Sequence, residues 1–121
     1  MTGLGVDIIE IDRIEEAVKK SDKFLVRIFT DLERQYIEKK GSKSETIAGL
    51  FAAKEAVAKV LGTGISGFSW HDIEVSHSDQ GQPLVSLHQG ARKRADELGI
   101  NRVHLSIAHC KTYAVANAMG D

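Results

Sequence analysis

The chain contains 121 residues, 27% of them charged, and carries a formal net charge of −1. This length predicts one domain over residues 1–121, large enough for its own core but small for an enzyme that encloses its whole active site, so we expect a site shared between subunits. The balanced charge argues against nucleic acid and anionic membranes as partners.

Cysteine usage and hydropathy point to the cytoplasm. Cys110 is the single cysteine, so the chain forms neither an internal disulfide nor a cysteine zinc cluster, as is usual in a reducing compartment. The N-terminus lacks a basic start followed by an apolar stretch of signal length, and no apolar run is long enough to span a membrane. We therefore expect a soluble, intracellular protein.

The first part of the chain reads as a strand followed by short helices. Residues 3–9 form the predicted strand, which leads into a helix whose core positions are Ile11, Ile14 and Val18, because these recur at helical intervals. Helical character then continues through residues 24–29.

A capping box and a polar turn frame the middle of the chain. The segment from Thr30 to Glu33 has the capping-box pattern and predicts a helix to about Lys39. Ser44 is in position to cap a long helix from Glu45 to Leu61. The predicted core residues of this helix are Ile47, Leu50, Val57 and Leu61, and its alanines allow a neighbouring element to approach closely.

The second half is richer in strands. Ile73 and Val75 alternate with polar residues, and a turn over residues 78–83 precedes a second strand. A polar helix over residues 89–98 is followed by two further strands, the last ending near Met119. The pattern predicts an α+β fold in which an antiparallel sheet packs against a long central helix and shorter helices.

The most informative segment runs from Phe51 to Lys59 in the long helix. Glu55 and Lys59 are four residues apart, so they share one face of that helix. A carboxylate and an ammonium held on a rigid helix suit a metal ion and a phosphate group, respectively. A second acid, Asp7, lies in an apolar segment, where an ionised carboxylate is costly without a partner.

The long helix runs into Gly62-Thr63-Gly64, whose backbone can approach a ligand closely. Each of these residues also has a purely structural interpretation. Asp7 could cap the helix after the first strand, and Glu55 with Lys59 could be an exposed ion pair. Lys54 could lie along the helix with its head paired to an acid, and the glycines could simply end the helix.

Three segments together carry a family resemblance: Gly5-Val6-Asp7, the run Phe51-Ala-Ala-Lys54-Glu55-Ala56-Val-Ala-Lys59, and Gly62-Thr63-Gly64. They resemble the signature of the 4′-phosphopantetheinyl transferases. The turn with Gly81 and Pro83, and the run Ser106-Ile-Ala-His109, narrow the resemblance to the bacterial holo-[acyl-carrier-protein] synthase branch, over essentially the whole chain.

The resemblance implies a reaction, a metal and an assembly. Members transfer phosphopantetheine from coenzyme A to a serine of apo-acyl-carrier protein, in support of fatty acid biosynthesis, and release adenosine 3′,5′-bisphosphate. They are homotrimers with sites at the subunit interfaces. Asp7 and Glu55 match the ligands of Mg²⁺, for which Mn²⁺ is an alternative ion, and Glu55 and Lys59 match the catalytic positions. The positions that the resemblance assigns to coenzyme A are Lys54, Lys59, Gly62, Thr63, Gly64, Pro83 and His109.

The chemistry explains these residue types. Mg²⁺ bridging two phosphates neutralises the charge that opposes attack by a neutral serine. Lys59 stabilises charge on the diphosphate or protonates the leaving group. Either Glu55 or a water held by the metal accepts the serine proton, and the sequence does not separate these two routes.

The resemblance also implies how the partner is recognised. Members of the family bind the acidic carrier protein through a basic region near the first helix. The matching positions here are Arg13, Lys20, Lys23 and Phe24, with Arg27 nearby. We expect the charges to steer the encounter and Phe24 to act as an apolar anchor.

One position departs from the family pattern. Leu50 stands where members commonly have arginine, so a phosphate contact there is absent or supplied by Lys43 or Lys54.

Two other classes of function fit part of the sequence. A non-catalytic module that holds a magnesium–nucleotide complex, or a trimeric assembly protein, explains the acids but gives Lys59 and the basic region no joint purpose. A small magnesium phosphohydrolase would attack with water instead of serine.

Overall fold

A computed structural model describes residues 3–62 and 64–121. Over these residues the chain forms five strands, five α-helices and a short 3₁₀ turn at Trp70–Asp72. The strands are β1 (Gly3–Glu10), β2 (Ile73–His77), β3 (Pro83–Leu87), β4 (Val103–His109) and β5 (Tyr113–Gly120). The helices are α1 (Ile11–Lys20), α2 (Phe24–Ile28), α3 (Asp31–Lys39), α4 (Ser44–Val60) and α5 (Gln89–Glu97).

The described strands form two antiparallel sheets. The larger sheet has the order β1-β5-β4, with β5 in the centre, and its register pairs Gly3 with Gly120 and Glu10 with Tyr113. The smaller sheet is the β2–β3 hairpin, in which Val75 pairs with Val85. The predicted α+β fold is confirmed, with two sheets where one was expected.

The core forms where α4 packs on the inner face of the larger sheet. Residues on every side of α4 are buried, as expected of a helix enclosed by its neighbours. Strand β5 presents Ala114, Ala116 and Ala118 to the interior at every second position. These small side chains leave room for the helix to lie close to the sheet.

The outer face of the same sheet is apolar but exposed. Leu4, Val6 and Ile8 alternate with buried or partly buried residues along β1, and their exposed fractions are 66%, 53% and 63%. Met119 of β5 pairs with Leu4 and is also exposed. Within the described residues, these side chains form a contiguous apolar stripe that the fold itself leaves uncovered.

Local signals in the sequence were confirmed at α3 and failed at α4. The Thr30 hydroxyl accepts a hydrogen bond from the Glu33 N–H at 3.2 Å, and Glu33 Oε1 accepts one from the Thr30 N–H at 2.9 Å, which completes the capping box. The predicted Ser44 cap is wrong, because α4 already begins at Ser44 and its hydroxyl contacts Glu15 Oε2 of α1 at 3.5 Å. Among the described helices, none is both long and apolar enough to cross a membrane.

Candidate active site

A very close crossing of β1 and α4 brings the predicted site residues together. An ideal Cβ placed on Gly5 would lie 2.0 Å from the carbonyl oxygen of Ala56 and 3.1 Å from the Cβ of Lys59. Since a real Cβ does not approach a backbone oxygen so closely, only glycine fits at position 5. Two residues further along β1, Asp7 therefore lies beside the C-terminal half of α4.

Lys59 links the two elements directly. Its Nζ donates to the carbonyl oxygen of Val6 at 2.8 Å and to Asp7 Oδ1 at 3.2 Å. The Asp7 side chain is 17% exposed and the Lys59 side chain 49%, so the ion pair lies at the edge of the core with the ammonium facing outward. Asp7 does not cap α1, because the N-cap position of that helix is Glu10.

Glu55 completes the group from the same face of α4. Burial raises the pKa of the Glu55 carboxyl, the negative charge of Asp7 raises it further, and the positive charge of Lys59 opposes both effects. Burial is the larger cause of the raised pKa, and the added effect of Asp7 shows that the two carboxylates lie near enough to repel each other. A bound cation would relieve that repulsion.

The donor set fits a hard divalent cation such as Mg²⁺. Mg²⁺ prefers oxygen ligands and is commonly bound through one or two carboxylates together with waters and substrate phosphates. Asp7 and Glu55 supply two carboxylates from separate elements. Across residues 3–62 and 64–121 there is no group of three or more His, Cys, Asp and Glu side chains that could bind a metal alone, so the remaining ligands would come from water and substrate.

Lys54 requires a correction. Its side chain is fully buried, and its Nζ donates to Glu33 Oε1 at 2.6 Å. Burial lowers the pKa of Lys54, and the Glu33 carboxylate partly counteracts this effect. A side chain enclosed in this way does not reach a ligand at the surface, so the expected contact with coenzyme A is wrong. The structural interpretation, in which the lysine head pairs with an acid, is confirmed.

The loop after α4 has a backbone suited to the expected contact with coenzyme A, but not all of its N–H groups are available. Gly62 and Gly64 have φ values of +80° and +62°, a backbone conformation that favours glycine. The Gly62 N–H, however, donates to the carbonyl oxygen of Lys59 at 2.9 Å, so it is already used within the turn. Thr63 lies outside the described residues.

Arg94 of α5 also contacts this loop, although nothing in the sequence indicated it. Its Nε donates to the carbonyl oxygen of Leu61 at 3.0 Å, and a Cβ on Gly62 would lie 3.7 Å from its Nη2. The guanidinium therefore places a positive charge at the end of α4. Arg94 lies in a polar helix far along the chain from the glycines, so its type and spacing did not predict this contact.

Pro83 and His109 meet at a different place, in a cavity of about 210 Å³. The cavity lies against the first turns of α4, where it is lined by Glu45, Thr46 and Leu50 among others. Asp7, Glu55 and Lys59 are not among the described residues that line it. In a helix that rises 1.5 Å per residue, Thr46 and Glu55 are separated by roughly 13 Å along the axis. A single chain therefore carries the predicted site residues in two separate groups.

His77 is partly buried and packs against α3. Its ring stacks on Tyr36 with the centroids 3.8 Å apart and the planes within 6° of each other. Its Nδ1 is buried and has no hydrogen-bond partner among the described residues. Both rings line the 210 Å³ cavity and also a larger cavity of about 480 Å³ beside Lys39 and Lys40.

The basic region lies on α1 and α2. Arg13, Lys20, Lys23 and Arg27 are all exposed. Phe24 is instead partly buried, with its ring 6.3 Å from the ring of Phe51 on α4.

The apolar side chain that this basic region presents to solvent is Val26. Its exposed fraction is 55%, and it lies on the same short helix as Phe24. Because Phe51 lies four residues before Glu55, the contact between Phe24 and Phe51 holds α2 beside the face of α4 that carries Glu55. The contact between Phe24 and Phe51 thus connects the basic region to the part of α4 that lies beside Asp7.

Known proteins are similar to this chain over nearly its whole length. Residues 3–118 match the model of the 4′-phosphopantetheinyl transferase superfamily. A holo-[acyl-carrier-protein] synthase of Thermoanaerobacter sp. (strain X514) is 50% identical over 116 residues, which cover 96% of this chain and 84% of that protein.

Two solved structures also resemble the fold closely. The Helicobacter pylori holo-[acyl-carrier-protein] synthase in complex with coenzyme A has a TM-score of 0.86 and 36% identity, covering 98% of this chain and 99% of that one. The Bacillus anthracis str. Ames holo-(acyl-carrier-protein) synthase, in complex with CoA (3′,5′-ADP), has a TM-score of 0.81 and 40% identity, covering 98% and 95%.

Proposed function

Because the chain belongs to the 4′-phosphopantetheinyl transferase superfamily, we propose that it transfers the 4′-phosphopantetheine group of coenzyme A to a serine hydroxyl of an apo-acyl-carrier protein. The serine oxygen forms a bond to the phosphorus that bears the pantetheine, the bond from that phosphorus to the bridging oxygen breaks, and adenosine 3′,5′-bisphosphate leaves. The observation that carries the proposal is the meeting of Asp7, Glu55 and Lys59 where β1 crosses α4.

We propose that Asp7 and Glu55 bind Mg²⁺ in this reaction, with Mn²⁺ as an alternative ion. When bound, the ion would neutralise the diphosphate and orient it for displacement. Burial is the main cause of the raised pKa of Glu55, but the charge of Asp7 adds to it, and this repulsion supports the role because a cation between the carboxylates would remove it.

Lys59 would stabilise negative charge during the reaction, and Glu55 would take part in proton transfer. The Lys59 side chain is half exposed and its ammonium lies beside the Asp7 carboxylate, where it can stabilise negative charge on the leaving diphosphate. Glu55 is a candidate acceptor for the serine proton, and the second candidate is a water beside it.

We further propose a homotrimer with its active sites between subunits. The apolar stripe of Leu4, Val6 and Ile8 supports an assembly, because a monomer would leave these side chains in water. The separation between the Asp7–Glu55 group and the cavity at Pro83 and His109 supports a site completed by a neighbouring copy. Sedimentation should find a trimer, and a fully active monomer would contradict the shared site.

The acidic carrier protein would bind at the basic region of α1 and α2. The four exposed cations there favour an acidic partner, and Val26 offers an apolar contact among them. Fatty acid biosynthesis in the cytoplasm is the proposed setting, and residues 1–121 would act as a single transferase domain.

Mass spectrometry of an apo-carrier protein incubated with this protein, coenzyme A and Mg²⁺ tests the proposal. A gain of one phosphopantetheine mass, which is lost when EDTA is added, is the expected result. Hydrolysed coenzyme A with an unmodified carrier would instead identify a phosphohydrolase. Binding of coenzyme A without any change in carrier or coenzyme would identify a non-catalytic module.

A further inference from the structure

The buried ion pair between Glu33 and Lys54 has no part in the chemistry described above. Among the described residues, these are the charged side chains in the buried core, and both are completely enclosed. Glu33 Oε1 accepts from Lys54 Nζ at 2.6 Å and from the Thr30 N–H at 2.9 Å, while Glu33 Oε2 accepts from the Val75 N–H at 2.7 Å. One carboxylate therefore joins α3, β2 and α4.

Stability alone does not account for this pair. Removing two charges from water costs free energy that their attraction often fails to recover, and well-packed apolar pairs frequently replace such ion pairs without loss of stability. The best-attested use of a buried polar contact is to select one arrangement of packed elements over others.

Helix α4 is an element that needs such a contact. Helix packing is determined by side-chain ridges that fit into grooves on the neighbour. The middle of α4 packs mostly through small side chains, because Ala52, Ala53, Ala56 and Ala58 are all fully buried there and Val57 is the one larger apolar residue buried among them. Such shallow ridges resist rotation of the helix about its axis only weakly.

Lys54 supplies a directional contact at this point. Consecutive side chains on an α-helix point about 100° apart, so a fixed direction for Lys54 also fixes the direction of Glu55. On the opposite side, Lys59 contacts Val6 and Asp7 of β1. The two lysines thus attach α4 to α3 and β2 on one side and to β1 on the other.

We propose that Glu33 and Lys54 are a positioning pair, which sets the rotation of α4 and so holds Glu55 in place to share a divalent cation with Asp7. This inference rests on the proposed metal site. Glu33 is then a functional residue although it contacts neither metal nor substrate.

The test measures binding of Mn²⁺ in the presence of coenzyme A, from the electron paramagnetic resonance signal of the free ion. Lys54→Met and Glu33→Gln should each raise the Mn²⁺ concentration for half-saturation about tenfold, the usual effect of removing a residue that orients a metal ligand. The double variant should be no worse than either single variant, because both substitutions break the same contact.

Ile37→Ala is the matched control. Ile37 is a buried apolar residue of α3 and has no polar side-chain contact to lose. The control should lower the melting temperature but leave Mn²⁺ affinity within twofold of the wild type, measured well below the melting temperature of every variant. If Lys54→Met does not fold, Glu33→Gln compared with Ile37→Ala decides the question.

The outcomes separate this inference from the function it rests on. Folded Lys54→Met or Glu33→Gln proteins with unchanged Mn²⁺ affinity would overturn the positioning role and leave the metal site intact. Equal loss of affinity in Ile37→Ala would also overturn it, because the effect would then follow from lost stability. If Asp7→Ala binds Mn²⁺ as the wild type does, the metal site itself fails and the positioning role with it.

Discussion

Gly5 and Ala56 are in backbone contact where β1 crosses α4, with no space for even one methyl group between them. This contact determines how close Asp7 comes to the helix that carries Glu55 and Lys59. The position of the predicted metal site thus depends on a residue that has no side chain.

Gly5→Ala should separate β1 from α4 and weaken both the fold and the site. We expect a loss of about 1–3 kcal/mol in the free energy of unfolding, as for other overpacked positions, together with weaker activity. Thermal unfolding and turnover measure the two effects. Gly49→Ala is the control for stability alone, since its new methyl would meet only the Ile107 side chain, at 3.1 Å, whereas Gly49 also lines the cavity at Pro83 and His109. Equal stability in the two variants would show that the crossing tolerates a Cβ.

Asp7→Ala and Glu55→Ala should each reduce turnover by about 100-fold or more, because either change removes one of two carboxylates proposed to bind the metal. Circular dichroism should show an intact fold, since both side chains lie at the edge of the core. Asp12→Ala removes an exposed acid of α1 and should leave turnover unchanged. Substantial activity in both site variants would contradict the metal site.

Lys59→Ala should lower kcat by about 100-fold while changing Mn²⁺ affinity much less, because the ammonium is proposed to act on the diphosphate. Steady-state kinetics and the Mn²⁺ titration measure the two quantities separately. Lys19→Ala, which removes an exposed lysine paired with Glu15, serves as the control. A Lys59→Ala protein that loses metal affinity and kcat in parallel would place the lysine in ion binding instead.

Lys20→Glu combined with Lys23→Glu should raise the KM for the carrier protein by roughly tenfold at low salt and leave coenzyme A binding unchanged. The reason is electrostatic, since both lysines are exposed and the expected partner is acidic. The effect should shrink as ionic strength rises, because salt screens exposed charges. Lys39→Glu, on α3, is the matched reversal outside the basic region. An unchanged KM at moderate salt would remove this assignment.

Acid should destabilise the protein partly through His77. Burial lowers the pKa of His77 below its ordinary value near 6.5, and the charge of Lys40 lowers it further. The unfolded chain therefore binds this proton more readily, so the stability that neutral His77 contributes is present above pH 6.5 and is lost as the pH falls toward the lower folded pKa.

Melting temperatures measured between about pH 7.5 and pH 5.5 check this prediction. His77→Phe keeps a ring against Tyr36 but cannot bind a proton, so its melting temperature should fall less than that of the wild type. His104→Gln, at an exposed position of β4, should follow the wild type. Parallel curves for the wild type and His77→Phe would exclude His77 as the cause.

The strands and helices were largely predictable from sequence because their signals are local. The capping box at Thr30 and Glu33, the alternation along β4 and the glycine after α5 involve residues only a few positions apart. Asp7, Glu55 and Lys59 were identified as a set from motif residues, and the structure brings them together.

Only the tertiary structure decided which partner each side chain has. Lys54 binds Glu33 instead of a ligand, the Ser44 hydroxyl contacts Glu15 instead of capping its helix, and Phe24 packs on Phe51. Each of these contacts joins residues more than 20 positions apart, where helix and strand packing determines the distance. Residue type and spacing thus indicated which groups were available, whereas burial and close approach determined which of them remain free to act on a substrate.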